Sequence, residues 1–229
     1  MVLVARRRAR LEEVAGEARA RGAEAEVLVA DLTDHEQLAA VERRLADAER
    51  PVDLLVNNAG FGTHGPFASL PVEREEDEIR LNVLAPVRLT RAALPGMLAR
   101  GRGGIVNVSS IAGLQPLPDW ATYAATKAYL TSFSEAVHQE VRAHGVTVLA
   151  LLPGFARTEF QARSGSPTLR IPGPFWMSPD HVARAGLGAL ARGRALHVPG
   201  AGYRAVATLS RLTPWSLTRR VVHVAGRRL

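Results

Sequence analysis

Apolar residues fall along this chain in two alternating rhythms. Short runs rich in Val, Ile and Leu occur at Val2–Ala5, Glu26–Ala30, Val52–Val56, Gly104–Val108, Val146–Leu152 and Ala195–Val198, each about as long as a strand. Between them lie stretches whose apolar residues recur three and four apart, at 8–22, 34–48, 73–100, 120–144 and 179–192, and these predict helices. Runs such as Val146-Thr-Val-Leu-Ala-Leu-Leu152 are nearly continuous in their apolar character. That suits a parallel sheet covered on both faces and wound by right-handed helical crossovers. The pattern therefore predicts an α/β chain with a doubly wound, Rossmann-like parallel sheet.

In such sheets ligands sit beyond the carboxyl ends of the strands. The residues there are Asp31, Asn57-Asn58-Ala59-Gly60, Ser109-Ser110 and Pro153-Gly154. Residues 1–200 read as one domain. Within it, 159–178 loses periodicity, is broken by Gly165, Pro167, Pro172, Gly173 and Pro174, and carries Phe160, Phe175 and Trp176, which predicts a substrate lid. Residues 201–229 form a basic amphipathic extension that Pro214 should break in two.

Composition narrows the function. Cysteine is absent and the seven histidines are scattered singly, so neither disulfides nor a catalytic metal is expected. With no long apolar segment and no signal-peptide core, the chain reads as cytoplasmic. The net charge of +7 arises from residues 181–229, which hold nine arginines and no acid. No stacking platform or helix-turn-helix accompanies that charge, so nucleic acid is not expected as a partner. Trp215, Leu217, Val221, Val222 and Val224 alternate with arginines and would allow weak contact with a membrane surface, although covering the cleft or a second subunit suits the segment better.

One compositional fact points to chemistry. Lysine and arginine total 29, and Lys127 is the only lysine. A chain that uses arginine for every ordinary charge has placed one compact ammonium four residues after Tyr123, on the same helical face. An ammonium there would favour the phenolate and lower the phenol's pKa toward a range useful for proton transfer. Ser110, at the end of the run Ile105–Ser109, would offer a hydroxyl to a carbonyl oxygen nearby. Taken alone, Tyr-x-x-x-Lys is also an ordinary amphipathic pattern.

These residues resemble the short-chain dehydrogenase/reductase family. Ser110 in Gly-Gly-Ile-Val-Asn-Val-Ser-Ser-Ile-Ala-Gly stands thirteen residues before Tyr123-Ala-Ala-Thr-Lys127. Asn57-Asn-Ala-Gly60, Asn82 in Leu81-Asn-Val-Leu-Ala, and Pro153-Gly-Phe-Ala-Arg-Thr158 look like further family motifs, and the likeness runs from Val2 to about Pro199. The resemblance implies an oxidoreductase with Tyr123 as general acid/base, Lys127 lowering its pKa and holding the nicotinamide ribose, Ser110 orienting the carbonyl, and Asn82 anchoring a relay water. It places Asp31 and Leu32 by the adenine, Asn57, Ala59 and Gly60 on the adenosine side, and Pro153, Gly154 and Thr158 by the nicotinamide. Asp31 as a helix cap, Asn57–Gly60 as a plain turn and Thr158 as a loop residue remain open.

Arg6, followed by Arg7 and Arg8, stands after the first strand where an acid would favour NAD, and an arginine there suits the 2′-phosphate of NADP(H). The family's first strand and Thr-Gly-x-x-x-Gly-x-Gly loop have no counterpart before this point, and Gly60-Phe-Gly62-Thr-His-Gly65 is read as a decoy because Pro66 follows where a helix must open. A start codon placed too late, or a pseudoenzyme acting as a binding or scaffold module, would each account for that. The expected substrate is a small apolar carbonyl or alcohol, and the helices at 73–100 and 120–144 are expected to pair in a homodimer or homotetramer.

Overall fold

The computed structural model describes residues 1–160, 164 and 173–212. Its elements follow the predicted alternation: β1 (Val2–Ala5), α1 (Arg8–Ala20), β2 (Glu26–Val29), α2 (His35–Leu45), β3 (Leu54–Asn57), α3 (Val72–Ile79), α4 (Ala85–Arg100), β4 (Gly103–Val108), α5 (Ala121–Val141), β5 (Val146–Leu151), α6 (Pro179–Ala191), β6 (Leu196–His197) and α7 (Ala201–Leu212). The long helix expected at 73–100 is present as α3 and α4, joined through a π-helical turn over Arg80–Leu84. Trp215 and the other residues beyond 212, and most of the expected lid, lie outside the described residues. No described helix is long and apolar enough to cross a membrane.

Every strand pair is parallel, as the continuous apolar runs require. The strands form two sheets, β1-β2 and β3-β4-β5-β6. Among the described residues β1 and β3 do not pair, so each leaves one edge without a ladder. Leu54 and Val56 on β3 are correspondingly 41% and 49% exposed. The two sheets are joined by side chains: Leu38 and Val41 of α2 pack with Ala85 and Leu89 of α4, and Val4 and Leu55 reach the same cluster from the two open strands. Arg88 adds a two-pronged ion pair to Glu42, with Nη2 at 2.7 Å from Oε2, and this pair holds the Glu42 carboxyl below its ordinary range.

The densest packing surrounds β4 and β5. Val148, Leu149 and Ala150 are fully buried, with Ile105, Met97, Val137 and Val141 on one face and Ala189 on the other. α5 buries Ala124, Lys127, Leu130, Thr131, Ser134, Val137, His138 and Val141, a stripe at three- and four-residue spacing. That stripe fixes the rotation of α5 and so aims Lys127 at the sheet.

Candidate active site

The site stands at the carboxyl ends of β3, β4 and β5. β4 ends in two serines with different fates. Ser109 turns its hydroxyl into α5, donating to the Lys127 carbonyl at 2.7 Å and meeting Thr131 Oγ1 at the same distance. Ser110 stands beside the Tyr123 phenol, and its hydroxyl accepts the Ala112 N–H at 3.1 Å. One turn along α5, Lys127 Nζ donates to the Val108 carbonyl at 2.9 Å and stands 5.7 Å from the Tyr123 ring centre. Sequence reasoning placed Ser110, Tyr123 and Lys127 together, and the fold brings them together.

Asn82 joins this group through the π-helical turn, a local widening of the kind often found at functional positions. Its Nδ2 donates to the Phe61 carbonyl at 2.8 Å and to Thr126 Oγ1 at 3.2 Å, while its Oδ1 accepts the Phe61 N–H. The loop after β3 is thereby tied to both α5 and the π turn. Neither Gly60 nor Gly62 has room for a side chain. A Cβ at Gly60 would lie 2.8 Å from Asn82 Oδ1 and 3.5 Å from Lys127 Nζ, and one at Gly62 would lie 2.9 Å from the Tyr123 ring.

The electrostatics depart from the expectation for Tyr123. Burial pushes its phenol up to about 12, with the Ser110 hydrogen bond opposing the rise and the Glu78 charge adding to it. The residue is half-buried, and Trp120 and Phe160 pack their rings 5.6 and 5.2 Å from its own. Desolvation outweighs any help from the ammonium, and the Lys127 ammonium is itself brought down to about 8 by burial, against the pull of Glu78. The expected lowering of the phenol by Lys127 is thus corrected for this state of the site.

The expected cofactor residues divide into three groups. At the carboxyl ends of β1 and β2, Arg6 pairs with Asp31 at 3.4 Å and is mostly exposed. Asp34, not Asp31, caps α2 by accepting the Gln37 N–H; Asp31 instead holds a turn by accepting the N–H and hydroxyl of Thr33. Leu32 packs against the cluster between α2 and α4. After β3, Asn57 sends its side chain inward to Asn107 Oδ1 at 2.8 Å and Thr90 Oγ1 at 3.3 Å, so its side chain knits the core, whereas Ala59 and Gly60 are exposed. After β5, the Pro153 carbonyl accepts the Ile111 N–H, and Thr158 Oγ1 accepts the Phe160 N–H. The segment Gly60–Gly65 opens into a short 3-10 turn, Phe67–Ser69, in place of an α-helix.

Two features escaped the sequence reading. Tyr203 on α7 lies flat against Gly154, where a Cβ would come within 2.3 Å of its ring. Its hydroxyl accepts the Phe155 N–H at 3.2 Å and donates to the Phe175 carbonyl at 2.7 Å. The other feature is a pair of buried acids on α3, Glu75 and Glu78. Their only signal in the sequence is that Glu75, Glu78 and Asn82 occupy the three- and four-residue spacing where an amphipathic helix would carry apolar residues.

Residues 1–168 match the short chain dehydrogenase family. The chain is 34% identical over 155 residues to the ketoacyl reductase HetN of Nostoc sp., covering 68% of this chain and 54% of that protein. It is 31% identical over 202 residues to human very-long-chain 3-oxoacyl-CoA reductase, covering 86% of this chain and 64% of the relative. It therefore spans between half and two thirds of those relatives. Among solved structures, a short-chain dehydrogenase from Sphingobium yanoikuyae in complex with NADPH superposes with a TM-score of 0.82 at 35% identity, over 92% of this chain and 83% of that one. The bulky-bulky ketone specific alcohol dehydrogenase from Comamonas testosteroni superposes at 0.78 and 29%, over 92% and 81%. Sequence, fold and the Ser110, Tyr123 and Lys127 grouping agree: the chain belongs to the short-chain dehydrogenase/reductase family.

Proposed function

We propose that this chain carries the catalytic centre of an NADP(H)-dependent oxidoreductase that interconverts a carbonyl and an alcohol. The observation that carries the reading is the convergence of a phenol, a serine hydroxyl beside it and the chain's single lysine at the carboxyl edge of a parallel sheet. Ser110 orients the carbonyl oxygen and Tyr123 delivers the proton to it. Lys127 holds a ribose hydroxyl and returns a proton toward the phenol, and Asn82 anchors the relay. Bound NADP(H) supplies or takes up the hydride.

The residues present fit such a group. The bare approach of Gly60 to Asn82 and Lys127 leaves a side-chain-free surface beside the ammonium. Arg6, with Arg7 and Arg8 behind it, offers guanidinium donors at the carboxyl end of β1 that suit a 2′-phosphate. NADPH or NADP in solved relatives supports the same preference. Trp120, Tyr123 and Phe160 line the approach to the phenol, and a cluster of rings favours an apolar ketone. The names of the ketoacyl and bulky-ketone relatives are in keeping with that. Exposed Leu84, Leu98 and Tyr129 on α4, its π turn and α5 support pairing with a second copy through these helices, which light scattering would measure.

The test is NADPH-dependent reduction of an aromatic ketone by the wild type and by Tyr123→Phe. The expected result is turnover in the former and loss of at least about a hundredfold in the latter, with NADPH binding retained. Binding without turnover in either would favour a scaffold role, and equal turnover in both would exclude Tyr123 as the acid.

A further inference from the structure

Behind the phenol and the ammonium lies a second ionisable pair that the chemistry above does not use. Glu75 and Glu78 stand one turn apart on α3 and are 7% and 0% exposed. Glu78 Oε2 accepts the Thr63 N–H at 2.8 Å and the Thr63 hydroxyl at 2.7 Å, and Glu75 Oε2 accepts the Thr122 hydroxyl. The second oxygen of each, Oε1, is buried without a hydrogen bond. The outward acids of the same helix, Glu76 and Asp77, are paired with Arg80. The inward acids therefore do not serve solubility, and an apolar residue at 78 would fill the same position at lower cost.

Their contacts show what they touch. Thr63 lies one residue after Gly62, whose backbone presses on the Tyr123 ring, and three after Gly60, beside Lys127 Nζ. Thr122 directly precedes Tyr123. We propose that Glu78 is a positioning residue of the active site: its carboxylate clamps the Gly60–Gly65 loop through Thr63 and sets a buried negative charge behind Lys127 and Tyr123. Glu75 braces the start of α5 from the same side.

The ionisable groups around Glu78 are Glu75 on its own helix and Lys127 and Tyr123 on α5. His64, in the clamped loop, holds its ring 5.0 Å from that of Trp120 at a tilt of 56°. Burial raises the Glu78 carboxyl to about 7, Thr63 and Lys127 opposing the rise and Glu75 adding to it, so the carboxylate forms within the working range of an enzyme. Its charge raises the pKa of both Lys127 and Tyr123. Removing it lets both lose their protons at lower pH. Ketone reduction needs both protonated, so the alkaline limb of the rate profile moves to lower pH.

The consequence for turnover rests on the catalytic reading above, but the charge coupling can be measured without it. Because Lys127 is the only lysine, protein labelled with 13Cε-lysine gives one side-chain resonance that needs no assignment. The Glu78→Gln variant keeps the size and the acceptor oxygen for Thr63 and removes the charge. The lysine titration midpoint is expected to fall by roughly one pH unit in Glu78→Gln. The wild-type curve should also carry a second inflection from the coupled carboxyl. An unchanged midpoint overturns the proposal. Should the variant not fold, the wild-type curve decides, since a single inflection overturns the proposal and two support it. A lysine shift without ketone turnover would sink the catalytic reading and leave the coupling intact. Turnover with an unmoved alkaline limb in Glu78→Gln would do the reverse.

Discussion

The β1-β2 pair and the β3-β6 sheet are built from the same parts, parallel apolar strands backed by helices, yet they are finished to different degrees. In the larger sheet, β5 is buried almost end to end and carries helices on both faces. In the smaller, no residue of either strand is fully buried. The larger sheet and its helices hold the proposed reacting groups, whose placement must be exact to fractions of an ångström. At the carboxyl ends of the smaller stand Arg6 and Asp31, paired with each other at 3.4 Å and proposed for the adenosine end of the cofactor. The lesson is that in this molecule the proposed chemistry and the densest packing share one sheet, and the residues proposed for the adenosine end stand on a layer attached through α2 and α4.

Core truncation should separate the two regions most strongly. Leu149→Ala in β5 is expected to cost about 3 to 4 kcal/mol of stability, against about 1 to 2 for Leu28→Ala in the partly buried β2, measured by urea unfolding. Equal losses would contradict the comparison.

The next effect concerns pH. Glu78 has its folded pKa raised from 4.5 to about 7, so the native state loses stability as pH rises between those values and keeps that loss above them. Glu78→Gln should match the wild type near pH 4.5 and exceed it at pH 8 by up to about 3 kcal/mol. A variant that is destabilised equally at both values would deny the buried charge.

Amide exchange offers a map of the same contrast, with β4 and β5 protected far longer than β1 and β2. A smaller effect is expected at the bridge between the sheets: Arg88→Ala should lower stability by no more than about 1 kcal/mol, because the pair is partly solvated. The smallest is Tyr203→Phe, which keeps the ring on Gly154 and loses the hydroxyl's two bonds. It should raise KM for ketone or NADPH a few-fold with kcat nearly unchanged.

Most of this layout was legible in the sequence because it depends on periodicity. Continuous apolar runs identified the strands and their parallel pairing, and the four-residue spacing of Tyr123 and Lys127 put them on one helical face. The single lysine singled out the candidate site from composition alone. The rest depends on contacts between residues distant along the chain. The Asn57 side chain bonds Asn107 and Thr90, fifty and thirty-three positions away, contacts that no local spacing signals. The rise in the Tyr123 pKa comes from burial of the phenol in the folded chain, which helical spacing cannot reveal. The π turn at Asn82 and the seat of Tyr203 on Gly154 likewise have no local signature. Glu75 and Glu78 were visible only as acids at apolar positions, a pattern easily read as an ordinary charged helix.

The central claim is that Tyr123 delivers the proton in an NADPH-dependent reduction. The most direct measurement follows NADPH consumption with an aromatic ketone in the wild type, Tyr123→Phe and Lys127→Arg, with cofactor binding read in parallel by nicotinamide fluorescence. The account predicts turnover in the wild type, loss of at least about a hundredfold in Tyr123→Phe with binding kept, and impaired binding in Lys127→Arg because a planar fork cannot replace the buried ammonium. Undiminished turnover in Tyr123→Phe would contradict it.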